Sequence, residues 1–312
     1  HALHTPAIMS CFDPVLPSTE PAGVVVLGDV NSTLACALVA VKKGIPVAHV
    51  EAGLRSRDRG MPEEINRVLT DQLAELHFTT ERGAADNLLA EGIAPDGIHF
   101  VGNVMIDTLL HHRAQAEAPA TTLARHGVDA DAGMLAAGFA LVTMHRPSNV
   151  DDAATLRRMM DTLEALSERL PVVFPVHPRT RKGLEVVGLP RGRSHPVALL
   201  PPVAYLEMLG LMRDASVVLT DSGGMQEETT ALGVPCLTLR DSTERPVTVE
   251  QGTNTITGTD RHRILRAVDH TLASGGKAGR VPELWDGRAG ERIARVLQRW
   301  VESAGLAGAG GA

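Results

Sequence analysis

The sequence predicts an α/β protein built from two doubly wound parallel sheets with helices on both faces. Three observations lead there. Short apolar, β-rich runs alternate with helical patterns along nearly all of the 312 residues. Polar or glycine-rich segments follow most of the apolar runs. The alternation pauses once, in an Ala-rich, weakly patterned stretch from about Ala114 to Gly138, and then restarts. The length also favours two domains over one.

In chain order, Val24-Val25-Val26-Leu27 is the first strand and runs into Gly28-Asp29-Val30-Asn31-Ser32-Thr33. Asn31 and Ser32 are placed to cap a helix over 32–43, which Gly44 stops. A strand over 45–50 follows, then an Arg-rich loop, then a helix opened by Pro62, a residue suited to the first helical position. Leu76 to Thr79 is a strand, the next helix runs through Leu88 and Leu89, and 99–102 is a further short strand. The stretch 114–138 reads as the linker. Beyond it come strands over 139–144 and 172–176 flanking a long helix over about 153–169. The segment Ser216 to Gly224 is a strand running into a glycine turn, Met225 to Gly233 a helix, and Pro235 to Leu239 a strand. Helical patterns over 261–273 and 290–302 close the chain, and the low-complexity residues 304–312 read as a disordered tail.

Composition narrows the function. A net charge of −7 and 3% aromatic residues argue against a nucleic-acid surface, which needs a basic patch or a stacking platform. Three scattered cysteines give neither a disulfide framework nor a zinc site and fit a reducing cytoplasm. The thirteen histidines show no metal-ligand spacing, so no metal is expected. No apolar run approaches the roughly 20 residues that span a bilayer, and GxSxG is absent.

In open α/β sheets ligands bind beyond the carboxyl ends of the strands. The residues there are Asp29, Glu51, His145 with Arg146, His177, and Ser222-Gly223-Gly224. The last group passes from an apolar strand straight into a helix, and its glycines and free N–H groups suit a phosphate, although such turns are also common without a ligand. Glu227 and Glu228, one turn on, suit ribose hydroxyls or simply the helix dipole. Asp29 and Glu51 follow adjacent strands and face one cleft. Glu63 sits in a first helical turn, four residues before Arg67, where a dipole role or an ordinary supporting pair and a functional role are equally open on spacing alone. His49 and His177, flanked by strand-like residues, read more readily as satisfied core imidazoles. Several carboxylates and a histidine around a phosphate cradle suggest proton abstraction from a nucleotide-linked substrate.

Taken together, GDVNST (28–33), HVEAGLRS (49–56), PEEINR (62–67), FVGNVMID (100–107), HRPSN (145–149), TDSGGMQEE (220–228) and RDSTERP (240–246) resemble the non-hydrolysing UDP-N-acetylglucosamine 2-epimerase family, in order, from about Val24 to Gly258. The resemblance implies a GT-B architecture of two Rossmann-like domains. It places residues 1–110 and a returning helix 290–303 in the first domain and 111–289 in a UDP-binding second domain. It implies reversible conversion of UDP-GlcNAc to UDP-ManNAc, without cofactor or metal, through loss of UDP and the C2 proton to a 2-acetamidoglucal and re-addition. Carried over by position, Asp29, Glu51 and Glu63 are acid/base groups and His145 assists UDP departure. Ser222, Gly223 and Gly224 bind phosphates, Glu228 the ribose, and Arg67, His177 and Arg245 steady the nucleotide sugar. Arg55, Arg57 and Arg59 are expected to form a solvated loop. A homodimer in the cytoplasm, serving surface-polysaccharide synthesis, is also implied. The family opens with a strand and a Gly-rich turn carrying Arg and Lys, and nothing like it precedes Val24. About two βα steps, on the order of 60 residues at ~30 per unit, are therefore expected to be absent, with weakened folding of the first domain and impaired activity. Rival readings are a GT-B glycosyltransferase, a hydrolysing epimerase and a non-catalytic UDP-sugar-binding protein.

Overall fold

The computed structural model describes residues 4–128, 135, 138–190 and 192–303. The expected tail, and part of the expected linker, lie outside the described residues. The chain divides into two compact units, one of His1–Asp107 with Glu283–Ala312 and one of Thr108–Pro282.

The first unit holds a parallel sheet of β1 (Val24–Leu27), β2 (Val47–Ala52), β3 (Leu76–Thr79) and β4 (Ile98–Phe100), in that order. The helix Asn31–Lys42 begins at Asn31 itself, and Val30 at its N-cap provides no side-chain cap. The expected capping by Asn31 or Ser32 is therefore not made; instead the Thr33 hydroxyl donates to the Leu27 carbonyl at 2.7 Å. The helix Ala289–Ser303 returns to this unit. It lays Ile293, Val296, Leu297 and Trp300 on Ala48, Val50, Phe78 and Val101 of the sheet region, which is what ties the chain's end to its start. The Asp107 carboxylate accepts from the Ala289 and Gly290 N–H groups at 3.1 and 2.7 Å, satisfying donors that a helix start leaves open.

The second unit has a six-stranded parallel sheet in the order β10-β9-β8-β5-β6-β7. In chain order the strands are β5 (Ala140–Thr143), β6 (Val172–Pro175), β7 (Val197–Leu200), β8 (Val217–Thr220), β9 (Cys236–Thr238) and β10 (Asn254–Ile256). The winding reverses between β5 and β8, the switch point where such sheets open a crevice. The core covers both faces, with Met159, Leu163, Phe174 and Leu219 on one side and Phe139, Leu141, Leu209 and Val218 on the other.

Two sequence readings change. Within the expected linker, Pro119–Arg125 is a helix with Thr122 and Leu123 fully buried. Arg125 binds Glu207 and Glu117 at 2.5 and 2.7 Å, and the Glu117 carbonyl lies so close to Gly210 that a Cβ there would be 1.7 Å away. The stretch is packed, not spanning. The strands β7 and β10, of four and three residues, are too short to carry a periodicity, and the ten-residue helix Tyr205–Asp214 is a further element absent from the sequence reading.

Candidate active site

In the first unit the parallel pairing sets the ends of β1 and β2 side by side, with Leu27 opposite Val50 and the Gly28 N–H donating to the Val50 carbonyl at 3.0 Å. Asp29 and Glu51 are thus neighbours across the sheet. Glu51 has a left-handed backbone, with φ +72°, although it is not glycine. Its Oε2 lies 3.6 Å from where a Cβ on Gly28 would sit, so its carboxylate turns toward the turn that carries Asp29. Two residues on, Gly53 also has positive φ, and a Cβ there would fall 2.3 Å from the Ala84 carbonyl, so only glycine fits.

The helix Pro62–Leu73 buries a polar face, including Glu64, Asn66, Arg67, Thr70 and Asp71. Arg67 is buried and forms close ion pairs with Asp29 and, at 2.5 Å, with Glu64. Asn66 donates to the Asp29 carbonyl at 2.9 Å and to Asn31 at 3.2 Å. Glu63, half-buried, lines a hollow of about 320 Å³ with Asn31, Ser32 and Asn66. Asp29, Glu51, Glu63 and Arg67 are therefore gathered at one edge of this unit. Glu64, which sequence reasoning passed over, accepts from Ser56 N–H, Arg57 N–H and Arg67. Burial alone would raise its pKa, but these donors hold it below the usual glutamate range. Arg57 and Arg59 are exposed, as expected of a solvated loop, but Arg55 is buried and bridges Asp71 and Glu91. That reading of Arg55 is corrected: its stem crosses packed protein, which a residue count along the loop does not reveal.

In the second unit, His145 and Asp221 follow β5 and β8 at the switch point. Asp221 is fully buried and accepts from the His145 and Arg146 N–H groups and from Asn149 Nδ2 at 2.9–3.1 Å. Its Oδ1 is 3.1 Å from His145 Nδ1. Burial works to raise Asp221, but His145 and the backbone donors hold it below its ordinary value, so it is an anion. Such a carboxylate fixes the proton on Nδ1 and turns Nε2 outward for acid/base work. Asp221 was not singled out by its spacing; its role shows only once β5 and β8 pair. The His177 ring centroid is 5.5 Å from that of His145. His177 is exposed at the N-cap of the helix Pro178–Val187 and accepts from the Arg179 N–H at 3.1 Å, so it is not the core imidazole that its flanks suggest. Desolvation, then His145, pushes its pKa below the ordinary histidine value.

Ser222 is the N-cap of the helix Gly223–Leu232, and its side chain makes no capping bond, which leaves the first-turn N–H groups to an anion. A Cβ on Gly223 would lie 2.6 Å from Glu244 Oε1 and 3.0 Å from Arg245 Nη1, so this glycine admits a cationic cluster to the turn. There the buried Glu244 sits 2.8 Å from Arg240, 2.9 Å from Arg245 and 3.9 Å from Arg146. Burial opposes its charge, yet the arginines bring its pKa down to about 2. Three guanidinium groups around one carboxylate leave a net positive field suited to a diphosphate. Glu227 pairs with Arg245 at 3.2 Å and is directed inward, which separates its role from that of Glu228. Glu228 accepts from the Tyr205 hydroxyl at 3.1 Å, and burial pushes its pKa up to about 7, with Tyr205 offsetting part of the rise. Among the described residues no group of three or more His, Cys, Asp or Glu is arranged to hold a metal ion, and no helix is long and apolar enough to cross a membrane.

Comparisons with known proteins identify the family. The family model described as UDP-N-acetylglucosamine 2-epimerase matches residues 1–298. A UDP-N-acetylglucosamine 2-epimerase of Methanocaldococcus jannaschii is 41% identical over 95% of this chain and 81% of its own length. A Pseudomonas aeruginosa UDP-2,3-diacetamido-2,3-dideoxy-D-glucuronate 2-epimerase is 39% identical over 87% of this chain and 73% of its own. The crystal structure of the M. jannaschii enzyme in complex with UDP-GlcNAc and UDP superposes with a TM-score of 0.83 at 40% identity, over 95% of this chain and 80% of that one. The α/β architecture is thus GT-B-like, and the rival readings outside the epimerases lose their support. A family model matched over residues 1–298 and a relative 41% identical over 95% of the chain show that the chain belongs to the UDP-N-acetylglucosamine 2-epimerase family.

Proposed function

We propose that the protein interconverts UDP-GlcNAc and UDP-ManNAc by anti-directed proton traffic at C2. A carboxylate of the Asp29, Glu51 and Glu63 group removes the C2 proton as the C1–O bond to UDP breaks, giving a 2-acetamidoglucal with a C1=C2 double bond. UDP oxygen then re-adds at C1, and C2 takes a proton on its opposite face from another of these groups. Inversion needs a proton donor and an acceptor on the two ring faces, which one carboxylate cannot provide. Arg67 holds the Asp29 carboxylate in place through their ion pair. In the second unit, His145, oriented by Asp221, stabilises the departing diphosphate with His177 beside it, and Ser222, Gly223, Gly224 and Arg245 bind the phosphates. Glu228 accepts from the ribose hydroxyls. The observation that carries the reading is Glu51: a glutamate held at φ +72° with its carboxylate toward the Asp29 turn is a costly arrangement with a mechanistic use.

Incubation with UDP-GlcNAc in D2O, followed by proton NMR, tests this. Deuterium at C2 accompanied by UDP-ManNAc, and its loss in Glu51→Gln, is the expected result. A persistent C2 proton with no mannose-configured product would refute it. Exchange only on UDP-2,3-diacetamido-2,3-dideoxy-D-glucuronate would instead transfer the mechanism to the substrate of the P. aeruginosa relative. A homodimer, a cytoplasmic location and a role in polysaccharide synthesis rest on the family resemblance alone, and light scattering of the purified protein tests the first.

A further inference from the structure

Beneath the ends of β1 and β2 lies a buried charged network that no step above uses. His49, in the middle of β2, is fully buried, with Nδ1 2.6 Å from Asp71 Oδ1 and Nε2 2.8 Å from the Gly28 carbonyl oxygen. Both ring nitrogens face oxygens, so the ring ties the Asp71 carboxylate to the backbone of the turn after β1. Asp71, also fully buried, uses its other oxygen to accept from the Gly53 N–H at 3.1 Å and from Arg55 at 2.7 Å. Burial works to raise the Asp71 pKa, but the His49 hydrogen bond and charge, then Arg55, hold it below the usual aspartate range. Arg55 continues to Glu91 with bonds of 2.8 and 2.6 Å.

The ends of this network matter. Gly28 immediately precedes Asp29, and Gly53 follows Glu51 by two residues. One carboxylate on the helix Pro62–Leu73 therefore reaches the turn after β1 through His49 and the turn after β2 directly. As a device for stability alone it is a poor choice. Side chains of His49, Asp71 and Arg55 that are 0%, 0% and 3% exposed lose their hydration, and apolar residues fill such a space at no such cost. Apolar residues, however, make no directional bonds to two backbone groups on two different strands. A left-handed non-glycine residue such as Glu51 is strained, and it persists only where its surroundings over-determine it. The Gly53 N–H bond to Asp71 is one of the fixed points on that turn.

We propose that Asp71, acting with His49 and Arg55, is a positioning unit that sets the separation of the Asp29 and Glu51 carboxylates for proton transfer. The proposal rests on the reading of those two groups as the acid/base pair. It assigns functions to three residues buried beneath the site, and it explains why the sheet buries a polar ring at position 49.

Two substitutions separate positioning from mere support. His49→Asn keeps a donor for Asp71 where Nδ1 stood but cannot reach the Gly28 carbonyl. Asp71→Asn keeps the shape and removes the charge. Each is assayed for kcat, KM, UDP affinity by calorimetry and melting temperature, well below the melting temperature, and His49→Asn is crystallised beside the wild type. The expected result is a kcat lower by about 10–100-fold, since misplacement by about 1 Å costs that order, with UDP affinity unchanged and the Asp29 or Glu51 carboxylate displaced. A folded His49→Asn protein with wild-type kcat and unmoved carboxylates overturns the proposal. Should Asp71→Asn fail to fold, Arg55→Lys, which cannot bridge Asp71 and Glu91 together, takes its place. If the wild type turns over no UDP-sugar, the proposed activity fails, and the carboxylate positions in the two crystals still decide the positioning.

Discussion

Glu228 sets function against stability in a way that can be measured. Its side chain is only 7% exposed, and its folded pKa of about 7 stands above the ordinary 4.5 because burial disfavours the charged form. The folded protein therefore binds this proton more tightly than the unfolded chain. The associated stability is fully present below pH 4.5 and is lost as pH rises toward 7. A rise of about 2.5 units at 1.36 kcal/mol per unit is about 3 kcal/mol in full, of which about 2–3 kcal/mol falls between pH 5 and 8. Glu228→Gln keeps the acceptor for Tyr205 and removes the titration. Relative to wild type, it should gain about 2–3 kcal/mol on going from pH 5 to 8, or about 5–10 °C in melting temperature for a unit of this size. Urea unfolding or calorimetry at the two pH values measures it. UDP binding should move the other way, weaker in the variant and, in the wild type, strengthening as pH rises through 7, because ribose hydroxyls donate to the ionised form. Parallel stability profiles for the two proteins would refute the reasoning, since the carboxylate would then be charged and solvated in the fold.

Substitutions at Glu51 and Asp221 have equally definite outcomes. At position 51, Glu51→Gly should unfold about 1 kcal/mol later than Glu51→Ala in denaturant, because only glycine adopts φ +72° without strain; both should lack C2 exchange. Asp221→Asn puts an amide nitrogen among three backbone and side-chain donors and His145. It should lower kcat by about 10–100-fold through the lost histidine orientation. Because the Asp221 pKa is held down in the fold, the wild type should lose stability as pH falls below about 4, and melting in acid should show that loss reduced in the variant.

Much of this protein was determined by its sequence alone. The strand Leu76–Thr79, the proline-opened helix at Pro62 and the strand–glycine–helix turn at Ser222 are local patterns, fixed by side-chain periodicity and backbone preference over a few residues. The adjacency of Asp29 and Glu51 was also legible, because consecutive strands of a parallel sheet usually pair. The tertiary structure decided who answers whom across long separations. His145 meets Asp221 76 residues away, and Arg55 leaves the expected solvated loop for Glu91, 36 residues on. His49 reads as a bland core residue until Asp71, 22 positions later, supplies its hydrogen-bond partner. Glu227 and Glu228 are adjacent and chemically identical, yet one turns to Arg245 and the other into a desolvated pocket beside Tyr205. Periodicity says which face of an element is buried; the charge state of a buried group depends on the partners that packing brings within about 3–4 Å, where the local dielectric gives them weight.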